Sequence, residues 1–276
     1  MKQSDHELTD EEKDKKKAEL RVFPHPKSHI KQIIGITSGK GGVGKSTITS
    51  LLASHANKQN VRVGIIDADV SGPSIPQAFG LHSRLTGNDE GLIPEETSSG
   101  IKIVSVNLML DQETNPLIWR GPLISNLIKK FYTDVIWGDI DVLFVDFPPG
   151  TSDVAITMFQ SIPINGVVVI TSPQDLVSMI VSKAIHMAEK MNVAVFGLIE
   201  NMSYFECPKC HTKHEIFGHS KIQEVANEHN IPLLAKLPIK PLVSSLYDEG
   251  RIEELKLDAI DEIIGALFND QPINKE

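Results

Sequence analysis

Gly39-Lys40-Gly41-Gly42-Val43-Gly44-Lys45-Ser46-Thr47 is the stretch on which any reading of this 276-residue chain turns. It fills the pattern G-x-x-x-x-G-K-[S/T], a glycine-rich turn that wraps a phosphate chain. Gly41, Gly42 and Gly44 leave backbone N–H groups free to point inward with no Cβ in the way. Lys45 is expected to reach the β- and γ-phosphates, and the Ser46 hydroxyl to hold Mg²⁺. Lys40 is a second cation inside the loop, where the pattern requires none, and it points to one subset of nucleotide hydrolases.

The flanks agree with the motif. Gln32–Thr37 is a β-branched run of the kind a buried parallel strand uses, and Thr47–Ala56 places apolar side chains at helical spacing. Strand, loop, helix is the order required, because the helix N-terminus adds partial positive charge to the phosphate cradle. Gly39-x-Gly41-x-x-Gly44 also spells a dinucleotide fingerprint, with Asp67 at the distance of a ribose-binding acid. The two readings part at Lys45-Ser46: a dinucleotide helix has no use for an ammonium and a hydroxyl there, whereas a triphosphate with Mg²⁺ needs both.

Composition narrows the partners. A chain that is 41% hydrophobic can bury one substantial core. A net charge of −9 argues against a nucleic-acid groove, and no apolar run approaches the ~20 residues of a membrane helix. Met1–Leu20, dense in Lys, Asp and Glu, has no apolar stretch of a secretory signal and reads as a mobile tail or frayed helix. With two cysteines in so long a chain, disulfides are not what holds it together, and a reducing cytoplasm is the expected compartment.

Strands are expected at Val61–Asp67, Ile101–Val106, Asp141–Asp146, Gly166–Thr171, Val193–Ile199 and Ile231–Leu237. Helical patterns at Pro122–Tyr132, Val154–Gln160, Asp175–Met191, Ser220–Asn230 and Ile252–Phe268 separate most of them. Such alternation of apolar strands with helices implies an α/β fold, a doubly wound, mostly parallel sheet covered on both faces. A single domain over 31–270 is expected, preceded by a charged tail over 1–30 and interrupted by an insertion at 204–215. Asn88–Ser99 reads as a surface loop or short hairpin.

In such a sheet, ligands gather at the carboxyl ends of the strands, and three aspartates fall there. Asp146 precedes Phe147-Pro148-Pro149-Gly150 and suits Mg²⁺ binding through its water shell. Asp67 and Asp69 follow the second strand; Asp67 would help position Mg²⁺, and Asp69 would orient the attacking water. The bland alternative is that strand-end aspartates cap turns.

Cys207 and Cys210 stand in Glu206-Cys207-Pro208-Lys209-Cys210-His211-Thr212-Lys213-His214. A redox dithiol is one reading, although that chemistry prefers a cysteine at a helix N-terminus. Zinc is another, with Cys207, Cys210, His211 and His214 as ligands, but a tetrahedron from so short a segment would be strained. An iron–sulfur cluster takes four thiolates, so two chains would each contribute Cys207 and Cys210 across a two-fold axis. An unligated pair is the last alternative, and residue arithmetic leaves cluster and zinc close to parity.

The phosphate loop, Asp67-Ala68-Asp69 with Gly72-Pro73-Ser74, Trp119-Arg120-Gly121-Pro122 and Asp146-Phe147-Pro148-Pro149-Gly150-Thr151 occur in that order. Thr171-Ser172-Pro173-Gln174-Asp175 and Glu200-Asn201-Met202-Ser203-Tyr204 follow, ahead of the cysteines. Over about residues 30–265 this closely resembles the Mrp/ApbC iron–sulfur cluster carrier ATPases, relatives of MinD, ParA and the nitrogenase iron protein. The resemblance implies a cytoplasmic homodimer that hydrolyses ATP with Mg²⁺, carries a bridging [4Fe-4S] cluster on Cys207 and Cys210, and delivers it to apo iron–sulfur proteins. Cluster-assembly scaffold proteins are implied as further partners. It also implies that Lys40 reaches the partner subunit's nucleotide, that Asn201 contacts adenine, and that Pro238 flanks the base. Residues 1–30 carry neither the small leading domain of many bacterial members nor the amino-terminal cysteine cluster of some eukaryotic ones. The rival expectations are a MinD/ParA-like ATP-dependent dimerisation switch and a zinc-binding ATPase without a cluster. Arg251–Glu276 leans acidic, which counts against a switch that docks on membrane or DNA.

Overall fold

A computed structural model describes residues 21–69, 74–109, 121–150, 152–174 and 177–269. The expected tail up to Leu20 lies outside these residues, as do Gly72, Pro73, Trp119, Arg120, Thr151 and Asp175 from the quoted motifs.

The strand ahead of the phosphate loop, β1 (His29–Ser38), is the centre of the molecule. It pairs in parallel with β7 (Asp139–Asp146) on one side and β8 (Gly166–Thr171) on the other. Beyond β7 lie β2 (Val63–Asp67) and β6 (Lys102–Ser105), and beyond β8 lies β9 (Ala194–Glu206), all parallel. β11 (Leu233–Ile239) adds in parallel to β9, while β5 (Glu95–Glu96) and β10 (Lys213–His214) pair antiparallel at the margins. β3 (Thr86–Asn88) and β4 (Gly91–Ile93) make the short hairpin, its turn held by the Asn88 carboxamide oxygen, which accepts from the Glu90 and Gly91 N–H groups. The doubly wound sheet is as expected, and its direction of winding reverses at β1.

Strand side chains alternate between two cores, as period-2 geometry requires. Ile33, Leu143 and Val167 enter a core under α3 (Gly121–Thr133), α4 (Asp153–Ser161), α5 (Val177–Lys190) and α6 (Ile222–Glu228). Their neighbours Ile34, Phe144 and Val168 enter the opposite core. That core lies under α1 (Lys45–Lys58), α2 (Ser74–Ala78), α7 (Pro241–Asp248) and α8 (Asp258–Asn269). Strands apolar on both faces are therefore the sequence's imprint of two helical layers.

Several elements differ from expectation, among them the short α2, β5 and β10, which were not expected. The pattern over Ile252–Phe268 is a 3-10 turn at Ile252–Glu254, an extended Leu255 and then α8, because the Leu255 carbonyl accepts from Lys58 of α1 at 2.6 Å. α7 was not expected; Pro241 at its first turn, with φ already helical, was the available signal. β9 runs to Glu206 rather than ending at Ile199, because β11 continues beside it as far as Phe205.

Candidate functional site

The loop after β1 closes on α1 through two glycines in the left-handed region, Gly42 at φ 79° and Gly44 at φ 80°. L-residues resist that conformation by about 1–2 kcal/mol, so the glycines at these positions are a backbone requirement. Gly44 caps α1, its carbonyl accepting from the Ile48 N–H at 3.0 Å. A Cβ on Gly44 would also run into the side chain of Asn201, whose Nδ2 donates to the Val43 carbonyl at 3.0 Å.

β2 and β7 deliver the acidic residues to this loop. Asp67 and Asp146 are register partners on β2 and β7, and both are fully buried. Asp146 Oδ2 accepts from Lys45 Nζ at 2.7 Å and from Ser46 Oγ at 2.6 Å, and its Oδ1 accepts from Thr49 Oγ1 at 2.7 Å. Asp67 Oδ2 accepts from Ser105 Oγ at 2.7 Å, and Asp67 Oδ1 accepts from the Asp69 N–H at 3.1 Å. Asp69 sets its carboxylate 3.5 Å from Lys45 Nζ. Burial and the charge of Asp146 push the Asp67 pKa up to about 8. Burial opposes the Lys45 charge, but Asp146, Asp69 and Asp67 outweigh it and hold its pKa above the ordinary lysine value. The site is a buried knot of carboxylates around one buried ammonium, with excess negative charge close to Ser46. Thr49 and Ser105 were not singled out from sequence; Thr49 sits one turn after Lys45, a spacing that offered a hint, whereas Ser105 depends on the β2–β6 pairing.

Lys40 turns outward, and its ammonium donates to Gln174 Oε1 of its own chain. On the other side of Gly44, a cavity of about 370 Å³ opens, within the range of small-ligand pockets. Gly44, Thr47, Asn201 and Pro238 line it, with an apolar wall from Ile48, Leu51, Leu237 and Val243. The fold thus brings Asn201 and Pro238, 37 positions apart in the chain, to the same pocket at the end of the phosphate loop.

The cysteine loop leaves the end of β9. The Cys207 N–H donates to the Thr212 carbonyl at 3.0 Å, and the His211 N–H donates to the Cys207 carbonyl at 2.9 Å, with His211 itself at φ 58°. Cys207 is half-buried and Cys210 exposed. Hydrogen bonding at Thr212 holds the Cys210 thiol below its ordinary pKa. The His211 ring meets the Glu206 carboxylate at 2.9 Å, and the ammonium of Lys213 lies 4.6 Å from the centre of the Tyr204 ring. Among the described residues, no three His, Cys, Asp or Glu side chains converge as a metal site.

With this geometry in place, the family assignment is direct: residues 29–269 match the model described as ParA, NUBPL iron-transfer P-loop NTPase. The chain belongs to this family. An iron–sulfur cluster carrier protein from Clostridium perfringens is 42% identical over 234 residues, 82% of each chain. A cytosolic Fe-S cluster assembly factor from Kluyveromyces lactis is 39% identical, covering 84% of each. Among solved structures, an Archaeoglobus fulgidus nucleotide-binding protein in complex with ADP aligns at a TM-score of 0.74 and 42% identity, over 84% of this chain and 91% of that one. The MinC:MinD complex of Aquifex aeolicus aligns at a TM-score of 0.62 over 86% and 95% of the two chains, but at 17% identity it shares the fold alone.

Proposed function

We propose that this iron-transfer NTPase is a homodimeric ATPase that holds a [4Fe-4S] cluster between its two copies and hands it to apo iron–sulfur proteins, taking it from assembly scaffolds. The observation that carries this reading is the placement of the chain's two cysteines together on an outward loop at the end of β9. Two thiolates are half of what a cubane cluster takes, so a second copy completes the set. The zinc alternative is weakened because His211 is directed to Glu206 and no third ligand joins the thiols among the described residues.

The site fits a magnesium nucleotide. Ser46 Oγ and Asp146 already meet at 2.6 Å, and Asp67, the register partner of Asp146, brings a second buried carboxyl to the same place. Ser46, Asp146 and, at one remove, Asp67 would hold Mg²⁺, which would supply positive charge to offset that of the nucleotide's phosphates. Lys45 would turn from Asp146 to the phosphates, and the backbone N–H groups of Gly41 to Thr47 would cradle them. Asp69, next to Lys45, orients the attacking water. Asn201 and Pro238 flank the base in the cavity. Lys40 would leave Gln174, a neutral acceptor, for the phosphates bound by the other copy. Residues 31–270 form the catalytic unit in this reading, with 204–215 as its cluster-bearing insertion. Two free thiols suit a cytoplasmic setting, and no helix among the described residues is long and apolar enough to cross a membrane. α8 opens on Asp258 and Asp261, which disfavours a membrane- or DNA-docking switch.

Oxygen-free reconstitution tests the reading. About one [4Fe-4S] cluster per two chains is expected, with its visible absorption, and its loss in Cys207→Ser. One zinc per chain without iron would overturn it.

A further inference from the structure

Between the phosphate loop and the cysteine loop, β9 carries an irregularity with an unusual set of contacts. Its pairing with β11 steps from Glu200↔Lys236 to Tyr204↔Pro238, so that Asn201, Met202 and Ser203 of β9 face a single intervening residue of β11. At the centre of this bulge, Met202 has φ 58°, a left-handed conformation that a side-chain-bearing residue adopts at a cost. On one side, Asn201 donates to the Val43 carbonyl of the phosphate loop. On the other, Glu200 is completely buried, and its two carboxylate oxygens accept from Ser203 Oγ and from Ser220 Oγ. Ser203 precedes the cysteine excursion and Ser220 ends it, the same Ser220 hydroxyl accepting from the Ile222 N–H at the start of α6. One buried carboxylate therefore clasps both ends of the loop that carries Cys207 and Cys210.

We infer that Glu200 is a positioning residue that makes the cysteine pair sense nucleotide. Filling the phosphate loop moves or fixes Val43, and Asn201 follows Val43 through its hydrogen bond. The strained bulge transmits that shift to Glu200, and the clasp sets the presentation of the cysteines. Strain concentrated at one residue makes the bulge a place where two arrangements lie close in energy. A coupling of this kind acts in both directions, so occupancy of the cysteines also alters nucleotide affinity. This inference rests on the nucleotide-binding reading above and adds to it the residue through which the two sites communicate.

The full-length apo-protein offers a direct test, because its two cysteines both lie in this loop and a thiol reagent reports on nothing else. Labelling rates with Ellman's reagent are measured alone, with MgADP and with a non-hydrolysable MgATP analogue, and nucleotide affinity is measured separately by calorimetry. The native protein is expected to change its labelling rate by about fivefold or more when saturated with nucleotide. Ser220→Ala and Glu200→Ala are expected to bind nucleotide with native affinity yet lose that response. Glu200→Gln, which keeps a partner for each serine, is expected to retain most of it. An unresponsive native protein that binds nucleotide would overturn the coupling alone, as would a full response in the folded Ser220→Ala variant. Absence of nucleotide binding in the native protein would overturn the coupling together with the reading beneath it.

Discussion

Lys40 and Lys45 are five residues apart, yet the fold gives them opposite surroundings. Lys45 is buried among three aspartates, while Lys40 is half-buried and its ammonium meets the neutral Gln174 carboxamide oxygen. Removing a half-buried side chain outside the core, with a neutral partner, leaves no buried charge unpaired. Lys40→Ala is therefore expected to keep the native melting temperature while ATP turnover falls by roughly 10²-fold, the scale of a lost charge on a transition-state oxyanion. Steady-state phosphate release beside a thermal melt checks both halves, and unchanged turnover would remove the proposed role across the dimer. Gly44→Ala is the complementary case. Its φ of 80° and the Asn201 side chain against it leave no room for a methyl group. It should lower stability by about 1–2 kcal/mol and weaken nucleotide binding at least tenfold, measured by chemical denaturation and calorimetry.

At the scale of elements, the two ends of the sheet have different duties. The carboxyl ends of β2 and β7 hold the buried aspartates, whereas their opposite ends are tied by Arg62 and Asp141. Asp141 accepts from Arg62 Nε and Nη2, each at 2.9 Å, and pairs with Lys31 at 3.0 Å. The Arg62 hydrogen bonds hold the Asp141 carboxyl well below the usual carboxylate range, and burial opposes them only in part. A carboxyl depressed in the folded state stabilises the protein above its unfolded pKa, and that contribution disappears as pH falls below about 4. Asp141→Asn should accordingly lower the melting temperature at pH 7 and narrow its gap to the native protein between pH 4 and pH 2. Nucleotide affinity, governed at the far end of the strands, should not change. Trp137, in the turn between α3 and β7, is fully buried, donates Nε1–H to the Phe131 carbonyl at 3.0 Å, and covers Gly64 of β2. Trp137→Ala is expected to cost about 3–5 kcal/mol in denaturant unfolding.

For the molecule as a whole, the fold sets the phosphate loop, the cavity beside it and the cysteines around the β9 side of the sheet. A shared cluster would therefore join two copies near their nucleotides. Sedimentation of oxygen-free protein should show a dimer when cluster-loaded and a shift towards single chains after chelation or in Cys210→Ser. A single chain under cluster-replete conditions would refute the shared centre.

Much of this was legible along the chain. Runs such as Val142–Val145 and Val167–Ile170, apolar at every position, announce strands covered on both faces, because only a two-layered environment removes all of those side chains from water. The phosphate loop was legible because glycine at a left-handed position and a lysine–hydroxyl pair are local chemical requirements. What sequence could not reveal was which distant groups share space. Ser105 on Asp67, Asn201 on Val43, and Ser220 on Glu200 are contacts between segments whose individual patterns carry no trace of one another. Local chemistry is written in neighbouring residues; the pairing of buried polar groups is determined by strand order and register, which exist only once the chain has closed on itself.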